Sequence, residues 1–288
     1  MRNHFLKRLS RHIRGRWRKR AIGKTGIAII AETNNGLLAV QAGDFNVSRS
    51  LLERGEYDWP QINWLAGLLD SSSKLIFAGA HIGAVLVPLV RAAGARAVIA
   101  FEPSPRNFQL LCMNLRLNGV EGVIARNNAL GERPCSIQFT ENSINTGNSR
   151  VAPAGGEIQV AMETLDRTVP GDWDSIDLIV MDIEGTEVAA MRGAQATLAK
   201  TRNFYVEFAP EQLREQGSNA AEFVETAEKY FKSAYVFGSP IRFLGPGQFA
   251  EHLKRLQHER GLLLNVLFTQ DAQANSQRML GALPISRS

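Results

Sequence analysis

Short apolar runs alternate with helix-length amphipathic stretches over most of this chain. Leu75-Ile76-Phe77 is continuously apolar, as a strand covered on both faces must be. Ala78-Gly79-Ala80-His81-Ile82-Gly83 turns the chain, a stretch rich in Val, Leu and Ala follows, and Ala97 to Phe101 forms a second apolar run ending on Glu102-Pro103. The pattern predicts one βαβ unit with glycines at its first turn and a carboxylate closing its second strand. Ser104 and Pro105 then read as the N-cap and first position of a helix that buries Phe108, Leu111 and Leu115 and leaves at Asn118-Gly119. Further strands are predicted at Val123 to Arg126, Leu178 to Met181, Phe204 to Phe208, Ala234 to Phe237 and Leu262 to Phe268, with an extended piece at Ser136 to Thr140. Helices are expected from Thr186, with Val188, Met191 and Leu198 inward, and around Ala220 to Phe231. Such alternation predicts a parallel sheet with helices on both faces.

Upstream, Ile27 to Ala31 and Leu37 to Gln41 flank Asn34-Asn35-Gly36, a strong hairpin signal. Gly43 to Tyr57 reads as a polar loop, and Pro60 opens a helix with Ile62, Leu65, Leu68 and Leu69 on one face. Residues 21–70 are thus expected to be an extension covering an edge or the mouth of a main domain at 71–270. The Asn-, Gly-, Ser- and Pro-rich segment from Glu141 to Gly156 reads as a loop long enough to act as a lid. Residues 271–288 lack periodicity and read as a disordered tail.

Composition changes the picture at one place. The chain has 288 residues, a net charge of +5 and 21% charged residues. Nine of its 33 Lys and Arg lie in residues 1–20, which hold no acid, so the rest carries 24 basic against 28 acidic groups. The basicity belongs to an arm in which Phe5, Leu9, Ile13 and Trp17 recur at helical spacing, interrupted by Gly15. Such an arm suits peripheral contact with an anionic membrane or an acidic partner, or forms a basic tail. A mildly acidic body argues against a nucleic-acid-binding core. No apolar run is long enough to span a membrane and no signal-peptide pattern opens the chain, so the expected location is cytoplasmic. Cys112 and Cys135 lack metal-ligand spacing, and no metal site is predicted.

In parallel sheets, ligands collect at the carboxyl ends of the strands, where His81, Glu102, Asn128, Asp182 and Glu207 all fall. Gly79 and Gly83 allow backbone to approach a ligand closely, and Glu102, about twenty positions on, suits a grip on ribose hydroxyls. A nicotinamide dinucleotide normally asks for G-x-G-x-x-G, whereas here His81 stands near the pyrophosphate space. S-adenosylmethionine has no phosphate to cradle and fits this turn better. Asp182 is a candidate to anchor the cofactor amine or orient the acceptor. Glu184 is the leading candidate general base, with Glu207 and His81 in reserve.

The succession Gly79-Ala80-His81-Ile82-Gly83, Ala100-Phe101-Glu102-Pro103-Ser104-Pro105, Asn128-Ala129-Leu130-Gly131, Thr164-Leu165-Asp166, Asp182-Ile183-Glu184-Gly185-Thr186-Glu187 and Met191-Arg192-Gly193-Ala194 resembles the FkbM family of S-adenosylmethionine-dependent methyltransferases. Asn107, Asn114 and Asn118 belong to the same likeness, which covers about residues 74–210. It implies a Rossmann-like, seven-strand class I methyltransferase sheet. It also implies S-adenosylmethionine as cofactor and O-methylation of a glycan or small-metabolite hydroxyl. The matching positions make Gly79, Ala80, His81, Gly83, Glu102, Pro103, Asn128, Ala129 and Asp182 the cofactor-binding set, while Glu184, Asp182 and Glu207 are the catalytic candidates by their place at the strand ends. Phe77 departs from the pattern, because the family commonly has an acid there. A catalytically silent cofactor-binding module is therefore the alternative reading, ahead of an NAD-dependent oxidoreductase.

Overall fold

A computed structural model of the chain describes residues 28–142, 150–151, 156, 158–272 and 275. The basic arm, most of the expected lid and nearly all of the C-terminal tail lie outside the described residues.

The hairpin forms from β1 (Ile29–Thr33) and β2 (Gly36–Val40), with Asn34 and Asn35 as its two-residue turn. The segment read as a polar loop contains a helix, α1 (Val47–Arg54), in which Val47, Leu51 and Leu52 are buried. Its apolar residues were too few and too widely set among Arg, Ser and Glu to show periodicity. α2 (Trp59–Ala66) follows, with Pro60 in its first turn as expected.

β3 (Lys74–Ala78), α3 (Leu86–Ala93) and β4 (Ala97–Phe101) make the expected βαβ unit. Next come α4 (Pro105–Leu117), β5 (Val123–Arg126), β6 (Ala129–Leu130), β7 (Cys135–Thr140), β8 (Arg150–Val151) and β9 (Ile158–Glu163). α5 (Leu165–Thr168), β10 (Ile176–Met181), α6 (Glu187–Arg192), α7 (Gln195–Ala199) and β11 (Thr201–Phe208) return the chain to the main sheet. α8 (Pro210–Glu215), α9 (Ala220–Glu228), β12 (Ser233–Val236), β13 (Arg242–Leu244), α10 (Gln248–Arg255) and β14 (Leu264–Thr269) complete it.

The main sheet has the order β13-β12-β14-β11-β10-β3-β4-β5. β5, β4, β3, β10 and β11 are parallel, while β14 runs antiparallel between β11 and β12. The sheet is therefore mixed, where the alternation of strand and helix by itself predicts a parallel one. The β12–β13 hairpin reverses the chain, so the crossover through α10 delivers β14 parallel to β13 and antiparallel to its neighbours β12 and β11, a reversal that alternation of strand and helix does not reveal. β13 adds a short eighth strand at the edge. A second sheet, β6-β9-β7-β8, was also not foreseen, because Ile158–Glu163 alternates apolar and polar residues only weakly.

Alternate side chains of the central strands feed two cores. Leu75, Phe77, Val98, Ala100, Leu178 and Val180 point to one face, which α2, α3, α4 and the hairpin cover. Ile76, Ile99, Phe101, Ile179, Phe204 and Val206 point to the other, covered by α6, α7, α9 and α10. Phe204, Phe231 and Phe268 stack there with ring centroids about 6 Å apart.

The hairpin is joined to the domain by a row of asparagines. Asn114 accepts from Ala39 N (2.6 Å) and donates to Ala39 O and Ile82 O (3.1 and 2.8 Å). Asn118 bonds Leu37 N and O in the same manner, and Gln41 donates to Asn107 Oδ1. Four residues of helix advance about 6 Å and two residues of strand about 6.7 Å. Helix side chains therefore stand in for a neighbouring strand along β2 and satisfy its open edge.

Candidate active site

The cleft opens at the carboxyl ends of β3, β4, β10 and β11. It encloses about 180 Å3, an order of magnitude more than one water needs.

The turn after β3 is held against its neighbours by backbone bonds. Gly79 N and Ala80 N both donate to Phe101 O, at 3.0 and 2.8 Å. Gly79 has φ +80, and a Cβ there would lie 1.8 Å from Asp182 O, so the end of β10 closes on this turn with no room for a side chain. His81 adopts φ 50, a left-handed conformation rare outside glycine. Its amide donates to Glu102 Oε2 (2.8 Å), while Ser104 N donates to Oε1 (2.9 Å). Glu102 is only 4% exposed, and burial pushes its pKa up to about 7 against the pull of these hydrogen bonds. The carboxylate is thus fixed at both oxygens at the end of β4.

Asp182, Glu184 and Glu207 line the opposite wall. The pairing of Met181 with Val206 sets Asp182 and Glu207 side by side on adjacent parallel strands. Glu184 is left-handed at φ 55, and its Oε2 accepts from Gln212 Nε2 at 2.7 Å. Its turn is closed from below by the buried Glu187, whose Oε1 accepts from Ile183 N (3.1 Å) and Gly185 N (3.2 Å). The sequence had offered no reason to see Glu187 as more than a first-turn carboxylate. Asp182 is exposed to the cleft yet enclosed by protein, so desolvation, with help from Asp58, raises its pKa to about 6. Desolvation and then Asp182 and Glu184 push Glu207 to about 9. Burial lowers His81 to about 4, partly offset by Asp44.

Every expected site residue lines this cleft except Gly83, which packs beneath it against Leu111. Asn128 donates to Ala161 O at 3.4 Å and so ties this wall to the second sheet. Phe77 lines the cleft at 2% exposure, with no polar group at that position.

The extension also contributes to the cleft. Asn35 donates to Tyr57 O and Ala84 O, both at 2.8 Å, and accepts from Tyr57 N at 2.9 Å. That brace brings Tyr57 and Asp58 to the cleft mouth. Asp58 has φ 48 and makes no capping bond to α2, although Asp before Trp-Pro reads as a helix cap. Tyr205, Gln61 and Gln212 also line the cleft, and Oε1 of each glutamine is buried without a partner. Among the described residues, no group of three or more His, Cys, Asp or Glu is placed to hold a metal ion, and no helix is long and apolar enough to cross a membrane.

The sequence model of the "Methyltransferase FkbM domain" matches residues 78–258. The chain belongs to the FkbM methyltransferase family. Membership brings the class I methyltransferase fold and S-adenosylmethionine as the cofactor. Similar solved structures include an rRNA methylase from Streptococcus thermophilus, 14% identical over 73% of this chain and 93% of that one, with a TM-score of 0.42. TYW2 of M. jannaschii in complex with AdoMet is 14% identical over 86% and 87%, with a TM-score of 0.43. A SAM-dependent O-methyltransferase from Thermotoga maritima is 13% identical over 77% and 69%, with a TM-score of 0.41. No curated protein matches the chain.

The acids of this FkbM domain give it a defined pH response. Glu102 and Glu187 (each about 7), Asp182 (about 6) and Glu207 (about 9) all have folded pKa values above their unfolded ones. The folded state therefore holds more protons between about pH 4 and these values, and stability falls as pH rises through 6 to 9. His81 acts the opposite way, because its folded pKa is depressed, and it costs stability as pH falls from 6.5 to about 4. The four acids outweigh the one histidine below pH 6 as well, so the urea midpoint is expected to fall from about pH 5 to pH 9. The loss by pH 9 should be on the order of 2 kcal/mol once solvent access to Asp182 and Glu207 is allowed for. Glu207→Gln should flatten the slope above pH 7. A midpoint that rises steadily from pH 6 to 9 would contradict the burial of these acids.

Proposed function

We propose that this chain is an S-adenosylmethionine-dependent O-methyltransferase acting on a hydroxyl of a glycan or small metabolite. The observation that carries the reading is the pairing, across one cleft, of a carboxylate anchored by the His81 and Ser104 amides with a second wall of acids. In this reading Glu102 accepts from two ribose hydroxyls, and Phe101, Leu130 and Phe139 give the same cleft apolar lining. The Gly79 turn, too close to β10 for any Cβ, fits a ligand lying against backbone. The residues present therefore fit the cofactor.

S-adenosylmethionine supplies a methyl group made electrophilic by its sulfonium. The protein's part is to hold the acceptor in line and remove its proton. Glu184 is the proposed general base, held by Gln212 on a turn that Glu187 closes. Asp182, ionised above about pH 6, orients the acceptor or the cofactor amine. Glu207, with a pKa of about 9, is protonated at neutral pH and is better suited to donate a hydrogen bond to the acceptor oxygen.

Phe77 favours one second reading, a module that binds the cofactor and transfers nothing. Isothermal titration with S-adenosylmethionine, S-adenosylhomocysteine and NAD comes first, with binding of the first two expected. Binding of NAD alone removes the methyltransferase reading. Incubating glycans with labelled donor and seeking a labelled product one methylene heavier then separates enzyme from silent module.

A further inference from the structure

The charged side chains that line the cleft are Asp58, Glu102, Asp182, Glu184 and Glu207, with His81 beside the cofactor turn; no Lys or Arg lines it among the described residues. Glu102 is taken up at the end of β4 by the His81 and Ser104 amides. The other four converge from three elements. Asp182 and Glu207 are neighbours across β10 and β11, Glu184 follows on the next turn, and Asp58 faces them from the extension. Their fields reach one another, since Asp58 raises Asp182, and Asp182, Glu184 and Asp58 all raise Glu207. The tyrosines facing them, Tyr57 and Tyr205, are pushed well above 10 and stay neutral. Arg54, at the end of α1, lowers Asp58 but is exposed and lies outside the cleft lining.

Two further acceptors point to a ligand rich in donors. Oε1 of Gln61 and Oε1 of Gln212 are buried in the same cleft wall with no hydrogen-bond partner. A buried acceptor left unpaired is costly, so a modest turn of either amide toward the cleft, onto a ligand donor, is favoured. S-adenosylmethionine carries a single net positive charge and offsets at most one of the acids.

Resting on the methyltransferase reading, we propose that the acceptor is cationic: a hydroxyl compound that also carries a protonated amine, seated between Asp58 and the Asp182–Glu207 pair. The same wall rejects phosphorylated, sulfated and carboxylated acceptors, because a like charge in a low-dielectric cleft meets repulsion with no counter-ion. Asp58 is then a specificity-determining residue contributed by the extension. An ammonium among these carboxylates also offsets the repulsion that adds to desolvation in raising Asp182 and Glu207.

The experiment uses the full chain at pH 6.5, saturated with S-adenosylhomocysteine, and titrates three matched probes: the methyl glycosides of glucosamine, glucose and glucuronic acid. The amino sugar is expected to bind about tenfold or more tighter than the neutral one, with no binding of the acidic one. Asp58→Asn and, independently, Asp58→Ser should narrow that preference while leaving S-adenosylhomocysteine affinity unchanged. Equal or weaker binding of the amino sugar, no response to any of the three, or a preference untouched in both variants overturns the inference. Saturation with S-adenosylhomocysteine separates the two levels of argument. If it binds and the amine preference is absent, only this inference fails; if it does not bind, the methyltransferase reading falls with it.

Discussion

Glu184→Gln is expected to lower turnover by about a hundred- to ten-thousand-fold, the range of a lost general base, while affinity for S-adenosylmethionine stays within a few fold. The separation of the two effects follows from how the residue is held. Glu184 sits at φ 55 on a turn whose other members are bound independently of its carboxylate. Glu187 Oε1 takes the Ile183 and Gly185 amides, and Thr186 Oγ1 donates to Ile183 O at 2.9 Å. Gly185 has φ +96 and lies so close to Gln212 that a Cβ would come 2.4 Å from its carbonyl oxygen. Gln at 184 keeps the size of the side chain, and its carbonyl oxygen still accepts from Gln212 Nε2. Fold and cofactor site therefore persist, and only the capacity to take a proton is removed. Single-turnover methyl transfer alongside isothermal titration reads both quantities. A variant with the parent's rate would move the base to Asp182, whose pKa near 6 leaves it ionised and still a better proton acceptor than an ordinary carboxylate.

The parts of the fold that were legible in the sequence are those where local pattern and tertiary role coincide. β3, β4 and β10 are buried on both faces, so their apolar runs could hardly be anything else, and Ser104-Pro105 begins α4 with Ser104 Oγ accepting from Asn107 N. The antiparallel β14 and the second sheet were not legible, because strand direction depends on connections rather than on residue type. In the site, Glu102, Asp182 and Glu184 were readable because each ends or closely follows a strand. Asp58 was not, since its role is set by Asn35 across the fold, and locally it resembles a helix cap. Glu207 was visible as a charge interrupting an apolar strand, but its high pKa needs Asp182 beside it on the adjacent strand. The buried, unpaired oxygens of Gln61 and Gln212 have no sequence signal at all.

Gly79→Ala is expected to destabilise the domain by about 2–5 kcal/mol and to abolish cofactor binding in whatever folds. The left-handed backbone at φ +80 costs a side-chain-bearing residue about 1–2 kcal/mol. The methyl group then has nowhere to go: its nearest neighbours are Asp182 O at 1.8 Å, Asp182 C at 2.9 Å and Ile183 Cγ2 at 3.2 Å. Two of these are backbone atoms of a strand end that is itself pinned, Asp182 N donating to Ala78 O at 3.0 Å. Relief requires β3 and β10 to part, which adds an overpacking cost of about 1–3 kcal/mol. The total is a large share of the about 5–15 kcal/mol that holds a domain folded. The displacement falls on the two turns that carry His81 and Glu184, so binding is lost ahead of global unfolding. Gly217→Ala is the matched control, because Gly217 also has φ +80 but has nothing within 4 Å of the added Cβ. It isolates the backbone cost, and its unfolding free energy from urea titration should drop by no more than about 1–2 kcal/mol. Equal losses in the two variants would mean that β10 yields to the methyl group and that the close approach at Gly79 is not what shapes the cofactor turn.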